Sequence, residues 1–350
     1  MADGLVLSID GMGGDRAPDI VIEGVELIAK SRPDVTFLLH GDPSRLEALL
    51  SNAPAARAAS RVFPAERAIG MEVKPSQALR QGKGSSLWNA IASVESGEAH
   101  AVVSAGNTGA LMAISMFRLR TIAGVHRPAL VASWPTMRGS AAVLDVGANV
   151  EADAEQLVEF AIMGEAFHRA VHGKARPTVG LLNVGAEDQK GHEEIRAAAR
   201  LMREAKLELD FHGFVEGDDI GKGTVDVFVT DGFTGNIALK TAEGTARFVG
   251  HFLREALTST ALAKLGALIA RPALQKLRER MDPSSVNGAV FLGLNGVVVK
   301  SHGGATGPGF AAAIEVAARL AKSHYRDEIE RNLLGLARAE AATAGAGETT

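Results

Sequence analysis

Short, almost uninterrupted apolar runs recur along the chain, each followed by a polar, glycine-bearing turn or an amphipathic stretch. They are Leu5–Ile9, Thr36–Leu39, Ala101–Ser104, Ala129–Ala132, Ala141–Asp145, Val179–Asn183, Val225–Thr230 and Val297–Lys300. A strand with one wet face alternates apolar and polar side chains. A continuous run belongs to a strand covered on both faces, as in a parallel sheet between layers of helices. Repeated strand–helix–strand order implies right-handed crossovers with helices on both sides. The expected fold is therefore α/β, a mostly parallel, doubly wound sheet. Helix punctuation agrees. Pro18 suits a helix start near Ala17–Asp19. Asp153 and Gln156 form a capping-box pattern ahead of Leu157, Phe160, Ala161 and Gly164 on one face. Gly97 follows a predicted helix over Ser86–Ser96.

The 350 residues exceed what one small core needs. No Pro/Gly/Ser-rich linker divides them, so residues 1–335 are expected to form one α/β body. A helical insertion is expected at about 253–281, and a disordered tail at 336–350. Met1–Gly4 leads directly into Leu5–Ile9, which predicts no secretory leader. No uncharged apolar stretch reaches the roughly 18 residues of a membrane span, and a cytoplasmic location is expected. Lys and Arg number 37 against 41 Asp and Glu, a net charge of −4, and aromatics are 5%. A protein that coats nucleic acid needs excess cations or stacking platforms, so no nucleic-acid partner is expected. Cysteine is absent, which excludes disulfides, a thiol nucleophile and cysteine-held metals.

Chemistry is expected where the runs end. The turns are Asp10-Gly-Met-Gly-Gly-Asp15, Ser104-Ala-Gly-Asn-Thr-Gly109, Asp145-Val-Gly-Ala-Asn149, Asn183-Val-Gly-Ala-Glu-Asp-Gln-Lys-Gly191, Asp231-Gly-Phe-Thr-Gly-Asn236 and Lys300-Ser-His-Gly-Gly304. Ligands of open α/β sheets bind beyond the carboxyl ends of strands. Glycines let backbone N–H groups approach a ligand, and helix N-termini favour anions, phosphate above all. These turns are expected to gather on one edge. Two of them share the form x-x-Gly-x-Thr-Gly, at 104–109 and 230–235. A dinucleotide site fits poorly, because Arg16 stands where a third glycine belongs. Neither a P-loop nor a Gly-x-Ser-x-Gly elbow is present. His168 and His172 are spaced i, i+4 but lack a zinc motif, and read as surface histidines. Capping and turn formation account for Asp10, Asp145 and Asp231 without a metal. Lys190 opposes the dipole of a helix starting near Glu193; either a bound anion or Glu187 or Asp188 compensates. Lys300 and His302 pose the same alternatives, and His302 is the better suited to move protons.

Together these strings resemble the bacterial phosphate acyltransferases from about residue 5 to 321. Besides the turns, the resemblance rests on Lys74-Pro-Ser-Gln-Ala-Leu-Arg80 with Ser85-Ser86, and on Gly293-Leu-Asn-Gly296. Gly11, His192 and Ala305–Gly309 depart from the family pattern. The resemblance implies a phosphotransacetylase/isopropylmalate-dehydrogenase-like fold, a homodimer, and no cofactor or metal. It implies reversible transfer of a fatty acyl group from acyl carrier protein to inorganic phosphate. The acyl phosphate would be the first step toward phosphatidic acid, passed to a membrane glycerol-3-phosphate acyltransferase by a peripheral enzyme. Phosphate itself would attack the thioester. On this reading Ser104, Asn107, Thr108 and Gly109 cradle phosphate or the phosphopantetheine end. Asp10, Gly13, Gly14, Asn183, Asp231, Thr234 and Lys300 complete the binding set. Lys190 neutralises charge, Asn236 donates to the carbonyl oxygen, and His302 shuttles a proton. Arg271, Lys276, Arg278 and Arg280, with Leu257, Leu262, Leu265, Leu268 and Ile269, suit an acidic carrier or a membrane surface, or else a dimer contact or core packing.

Overall fold

The computed structural model describes residues 4–205, 209–281 and 287–347, with side chains described to 336 except those of 277–281. Strands β1 (Leu5–Asp10), β2 (Val35–Gly41), β3 (Ser60–Pro64), β4 (Ala101–Ser104), β5 (Ala129–Thr136), β6 (Gly139–Leu144), β7 (Thr178–Leu182), β8 (Asp210–Val215), β9 (Val227–Val229), β10 (Ala289–Leu292) and β11 (Val297–Lys300) form one sheet. Its order is β3-β2-β1-β4-β11-β10-β5-β6-β9-β7-β8.

The sheet is mostly parallel, as expected, but it contains a reversal. β3, β2, β1, β4 and β11 are mutually parallel, and so are β6, β9, β7 and β8. Between the blocks, β11/β10, β10/β5 and β5/β6 are each antiparallel. Three successive reversals make the two blocks run in opposite directions. The turns after β1, β4 and β11 therefore leave one edge, and those after β6, β7 and β9 leave the other. The expectation of a single edge is corrected. Apolar runs mark strands but not their direction, which here depends on the non-local pairing of β10 with β5. Three strands are absent from the sequence reading: β10, a four-residue apolar run inside the sheet, and β3 and β8, the outermost strands, where partly exposed sequences such as Ser60-Arg-Val-Phe-Pro64 carry no continuous apolar run.

Alternate side chains of each strand feed two cores. Val103 and Val299 face one, Val102 and Val298 the other. The first core packs under α1 (Asp19–Ser31), α7 (Ala154–His172), α13 (Gly307–Lys322) and α14 (Tyr325–Gly347). The second packs under α5 (Ser86–Glu95) and α6 (Thr108–Leu119), and Leu239 of α10 (Gly232–Thr258) joins it. The expected punctuation is present. α1 follows Pro18, α7 opens on the full Asp153/Gln156 capping box, and Gly97 adopts φ +77°. The helical excursion is longer than expected. α10 is continuous from Gly232, and α11 (Ala261–Ile269) and α12 (Arg271–Met281) follow it. α14 runs through Gly347, so 336–347 is helical rather than a disordered tail; its alanines are strong helix formers.

His168 and His172 are not surface residues. His168 is buried, with Nε2 3.2 Å from the Ser140 carbonyl, and His172 Nε2 lies 3.1 Å from Ser133 Oγ. His40 is also buried, 3.2 Å from Ser93 Oγ and stacked on Phe63. Burial pushes His40 and His172 down to about 4 from 6.5. Above pH 6.5 both rings are neutral folded or unfolded. Between 6.5 and 4 only the unfolded chain takes up the proton, so stability falls with pH across that window. For His40 alone the loss is about 3 kcal/mol. Urea unfolding at pH 7 to 4 should show this loss, and His40→Phe should flatten the dependence. An unchanged pH slope in the variant contradicts the assignment.

Candidate active site

β1, β4 and β11 are neighbours, so Asp10, Ser104 and Lys300 end side by side on the first edge. Asp10 is buried. Its Oδ2 accepts from Ser104 Oγ at 2.7 Å and its Oδ1 from the Met12 N–H at 3.3 Å. Burial pushes its carboxyl pKa up, against the pull of these donors. Ser104 Oγ also accepts the Gly106 N–H at 3.0 Å. A Cβ on Gly13 would stand 2.3 Å from Asp10 Oδ2 and 2.8 Å from Gly106 N, so only glycine lets the two turns press together. Gly14, at φ +109°, packs on Ala105. Lys300 is buried and donates to the carbonyls of Ala105, at 3.3 Å, and Ser301. Burial brings its pKa down to about 8, opposed by Asp10 and Asp15. Asn107 Oδ1 caps α6 by accepting the Ala110 N–H at 3.0 Å. Its Nδ2 donates to the carbonyls of Met71 (2.7 Å) and Val73 (2.8 Å). Asp10, Ser104, Asn107 and Lys300 thus shape the 104–109 turn from within. Thr108, Lys74 and His302 are exposed beside it.

On the second edge the organising group is Asp145. Its Oδ1 accepts the N–H groups of Leu130, Gly147 and Ala148; its Oδ2 accepts the N–H and Nδ2 of Asn149. β9 lies between β6 and β7, so the Asp231 turn stands beside this hub and beside Asn183. Asp231 caps α10, Oδ1 accepting the Thr234 N–H at 2.7 Å and Oδ2 the Thr234 hydroxyl at 3.1 Å. Both predicted residues therefore act as a cap. Asn183 Nδ2 donates to the carbonyls of Gly185 (3.1 Å) and Lys190 (3.2 Å) and so folds the 185–190 loop. Lys190 lies across Gly185 and pairs with Glu187 at 2.8 Å. Of the two compensations for the helix dipole left open by the sequence, the carboxylate pair is the one observed. Glu187 raises the Lys190 pKa, and both groups are exposed. Asn236 is exposed, its side chain 3.7 Å from a Cβ position on Gly147 and without a hydrogen bond among the described residues.

α10 connects the edges. β4 and β6 lie four strand spacings apart in the sheet and end on opposite edges. α10 starts at the Asp145 hub and lies on the same face as α5 and α6. One turn past Asn236, about 6 Å along the axis, it carries Lys240. After burial, the Lys240 charge helps to lower the proton affinity of His302, and it also acts on Lys300. α10 thus leads from the Asp145 hub, past Asn236, to Lys240, whose charge is felt by His302 and Lys300. Lys240 and Asp15 were not singled out from sequence; the available signal for Lys240 was its i, i+4 spacing from Asn236.

Solved structures share this architecture. A phosphotransacetylase from Streptococcus pyogenes superposes with TM-score 0.62 at 15% identity, covering 92% of this chain and 95% of that one. The EutD phosphotransacetylase from Staphylococcus aureus gives 0.59 at 17% identity, covering 91% and 95%. The chain therefore has the phosphotransacetylase fold. A family model described as fatty acid synthesis protein matches residues 5–327, and the chain belongs to that family. Its relatives include the phosphate acyltransferase of Caulobacter vibrioides, 62% identical over 98% of this chain and 95% of the relative. That of Phenylobacterium zucineum is 56% identical over 95% of each. The protein is an acyltransferase of this family.

Proposed function

We propose that the chain transfers a fatty acyl group from the thioester of acyl carrier protein to inorganic phosphate, reversibly, as the first step toward phosphatidic acid. A phosphate oxygen attacks the carbonyl carbon. The C–O bond forms, the C–S bond breaks, and the electron pair leaves on sulfur. The observation that carries this reading is the course of α10, which brings Asn236 and Lys240 from the Asp145 hub toward His302 and Lys300. The 104–109 turn and the Lys300–Gly304 loop can grip phosphate, and the attacked carbonyl then lies against that phosphate, within reach of the Asn236 amide and the Lys190 ammonium. Alignment of bound phosphate with the carbonyl is worth up to roughly 7–11 kcal/mol. A chain without cysteine needs no nucleophile of its own for this reaction. Supplying acyl carrier protein thioester and phosphate should yield an acyl phosphate that hydroxylamine traps as hydroxamate. No hydroxamate above the enzyme-free rate contradicts the reading.

The same reading places the enzyme at the cytoplasmic membrane surface as a homodimer, delivering product to a membrane glycerol-3-phosphate acyltransferase. No helix among the described residues is long and apolar enough to cross a membrane. α11 buries no residue and leaves Leu262, Leu265, Leu268 and Ile269 exposed, beside the cations Arg271 and Lys276. The side chains of Arg278 and Arg280 lie outside the described residues. Phe248, Val249, Phe252 and Leu253 are exposed along α10 and suit a second copy of the chain. Binding to anionic vesicles should be seen by flotation and lost in the Leu265→Glu/Leu268→Glu variant. Equal flotation of the variant, or none by either protein, removes the membrane surface from the proposal.

A further inference from the structure

The 300–304 turn is held from several sides. The Ser301 N–H donates to the Ser104 carbonyl at 2.9 Å, and the Asp15 N–H to the Gly303 carbonyl at 3.1 Å. The His302 N–H donates to Asn287 Oδ1 at 3.0 Å, while Asn287 Nδ2 donates to Ser301 Oγ and to the Gly309 carbonyl, both at 2.8 Å. Inside this frame the Gly304 N–H donates to His302 Nδ1 at 3.1 Å. A ring nitrogen that accepts a hydrogen bond carries no proton, so the neutral ring has its hydrogen on Nε2. Protonating Nδ1 would set two N–H donors against each other and open the turn. The charged groups near the ring are Lys240 and Glu243 from α10, and Lys300 and Asp15 from the first edge. Partial desolvation of the largely exposed ring and the two cations outweigh the two carboxylates and hold the His302 pKa below its ordinary value.

We propose that His302 serves the reaction as a neutral hydrogen-bond donor, its Nε2–H directed at an oxygen of the phosphate held at the 104–109 turn. This rests on the acyl-transfer reading and replaces the proton-shuttle role. Nε2 already bears its proton and cannot act as a base. As an acid it would leave a strongly basic imidazolate. Nor does the chemistry require a proton donor, because a thiol with a pKa of about 8.5 leaves readily as thiolate. A neutral imidazole that binds oxygen through N–H is an established electrophilic device in other enzymes.

Two measurements on the full-length protein test this. In ¹⁵N-histidine spectra at pH 7, His302 should show a protonated Nε2 and an unprotonated Nδ1; His302→Gln identifies the signal. An Nδ1–H tautomer or an imidazolium overturns the proposal. In steady-state assays His302→Ala should raise the KM for phosphate by about tenfold or more, the order of one hydrogen bond to an anion. His302→Gln, whose amide can donate from a similar position, should stay within a few-fold of the parent. An unchanged phosphate KM in His302→Ala, or equal damage in both variants, also overturns it. Absence of acyl phosphate with the parent enzyme would instead count against the acyl-transfer reading, while the ring tautomer is read independently of turnover.

Discussion

Asp145→Ala should destabilise the protein by about 4 kcal/mol or more and abolish its acyl-transfer activity. Asp145 is fully buried, and its two oxygens accept from four backbone N–H groups, at 2.7 to 3.1 Å, and from the Asn149 amide at 2.9 Å. Each buried donor left without an acceptor costs about 1–3 kcal/mol, and neighbours in one network do not add simply. The same oxygens set the path of residues 147–149, on which Asn236 rests and to which the start of α10 is bonded through Gly232 N–H and the Asn149 carbonyl, at 2.7 Å. Asp145→Asn keeps the shape but turns one acceptor into a donor, so an intermediate loss is expected. Urea unfolding of the three proteins measures the ladder. A loss below about 1 kcal/mol for Asp145→Ala would show that water or relaxation replaces the hub.

Asn236→Ala should lower kcat/KM by about 10²–10³, mostly in kcat, the value of one donor to a developing oxyanion. Lys190→Ala should fall by a similar order, with a part in the KM for phosphate. Both side chains are exposed, and the Lys190–Glu187 pair is a surface pair of small energetic value, so thermal midpoints should barely move. That separation of activity from stability distinguishes these two residues from Asp145. A fall of less than about tenfold in either variant removes that residue from the reaction.

Eight of the eleven strands were legible because their side chains are apolar on both faces; β10, in the middle of the sheet, was missed although Ala289–Leu292 is equally apolar. β1, β4, β7, β9 and β11 all appear as uninterrupted runs. The starts of α6 and α10 were legible through the shared x-x-Gly-x-Thr-Gly form, which proves to be a strand–turn–helix unit capped by Asn107 in one case and Asp231 in the other. Strand direction was not legible. It depends on β10 inserting antiparallel beside β5, a pairing between segments more than 150 residues apart. Nor could sequence separate inward from outward polar groups in one turn. Asp10 and Lys300 carry the charges expected of a binding site, yet their atoms face the protein, while the neighbouring His302 is exposed. The burial of His168 and the half-burial of His172 against β5 and the β5–β6 hairpin were hidden for the same reason.

A single-turnover experiment addresses direct attack by phosphate most plainly. Enzyme in excess is mixed with acyl carrier protein thioester, with and without phosphate, and the products are read as hydroxamate and by intact mass of the protein chain. Without phosphate the carrier should stay acylated and the chain should gain no mass; with phosphate, acyl phosphate and free carrier should appear together. Release of carrier in the absence of phosphate, with an acyl group added to the chain, would contradict it.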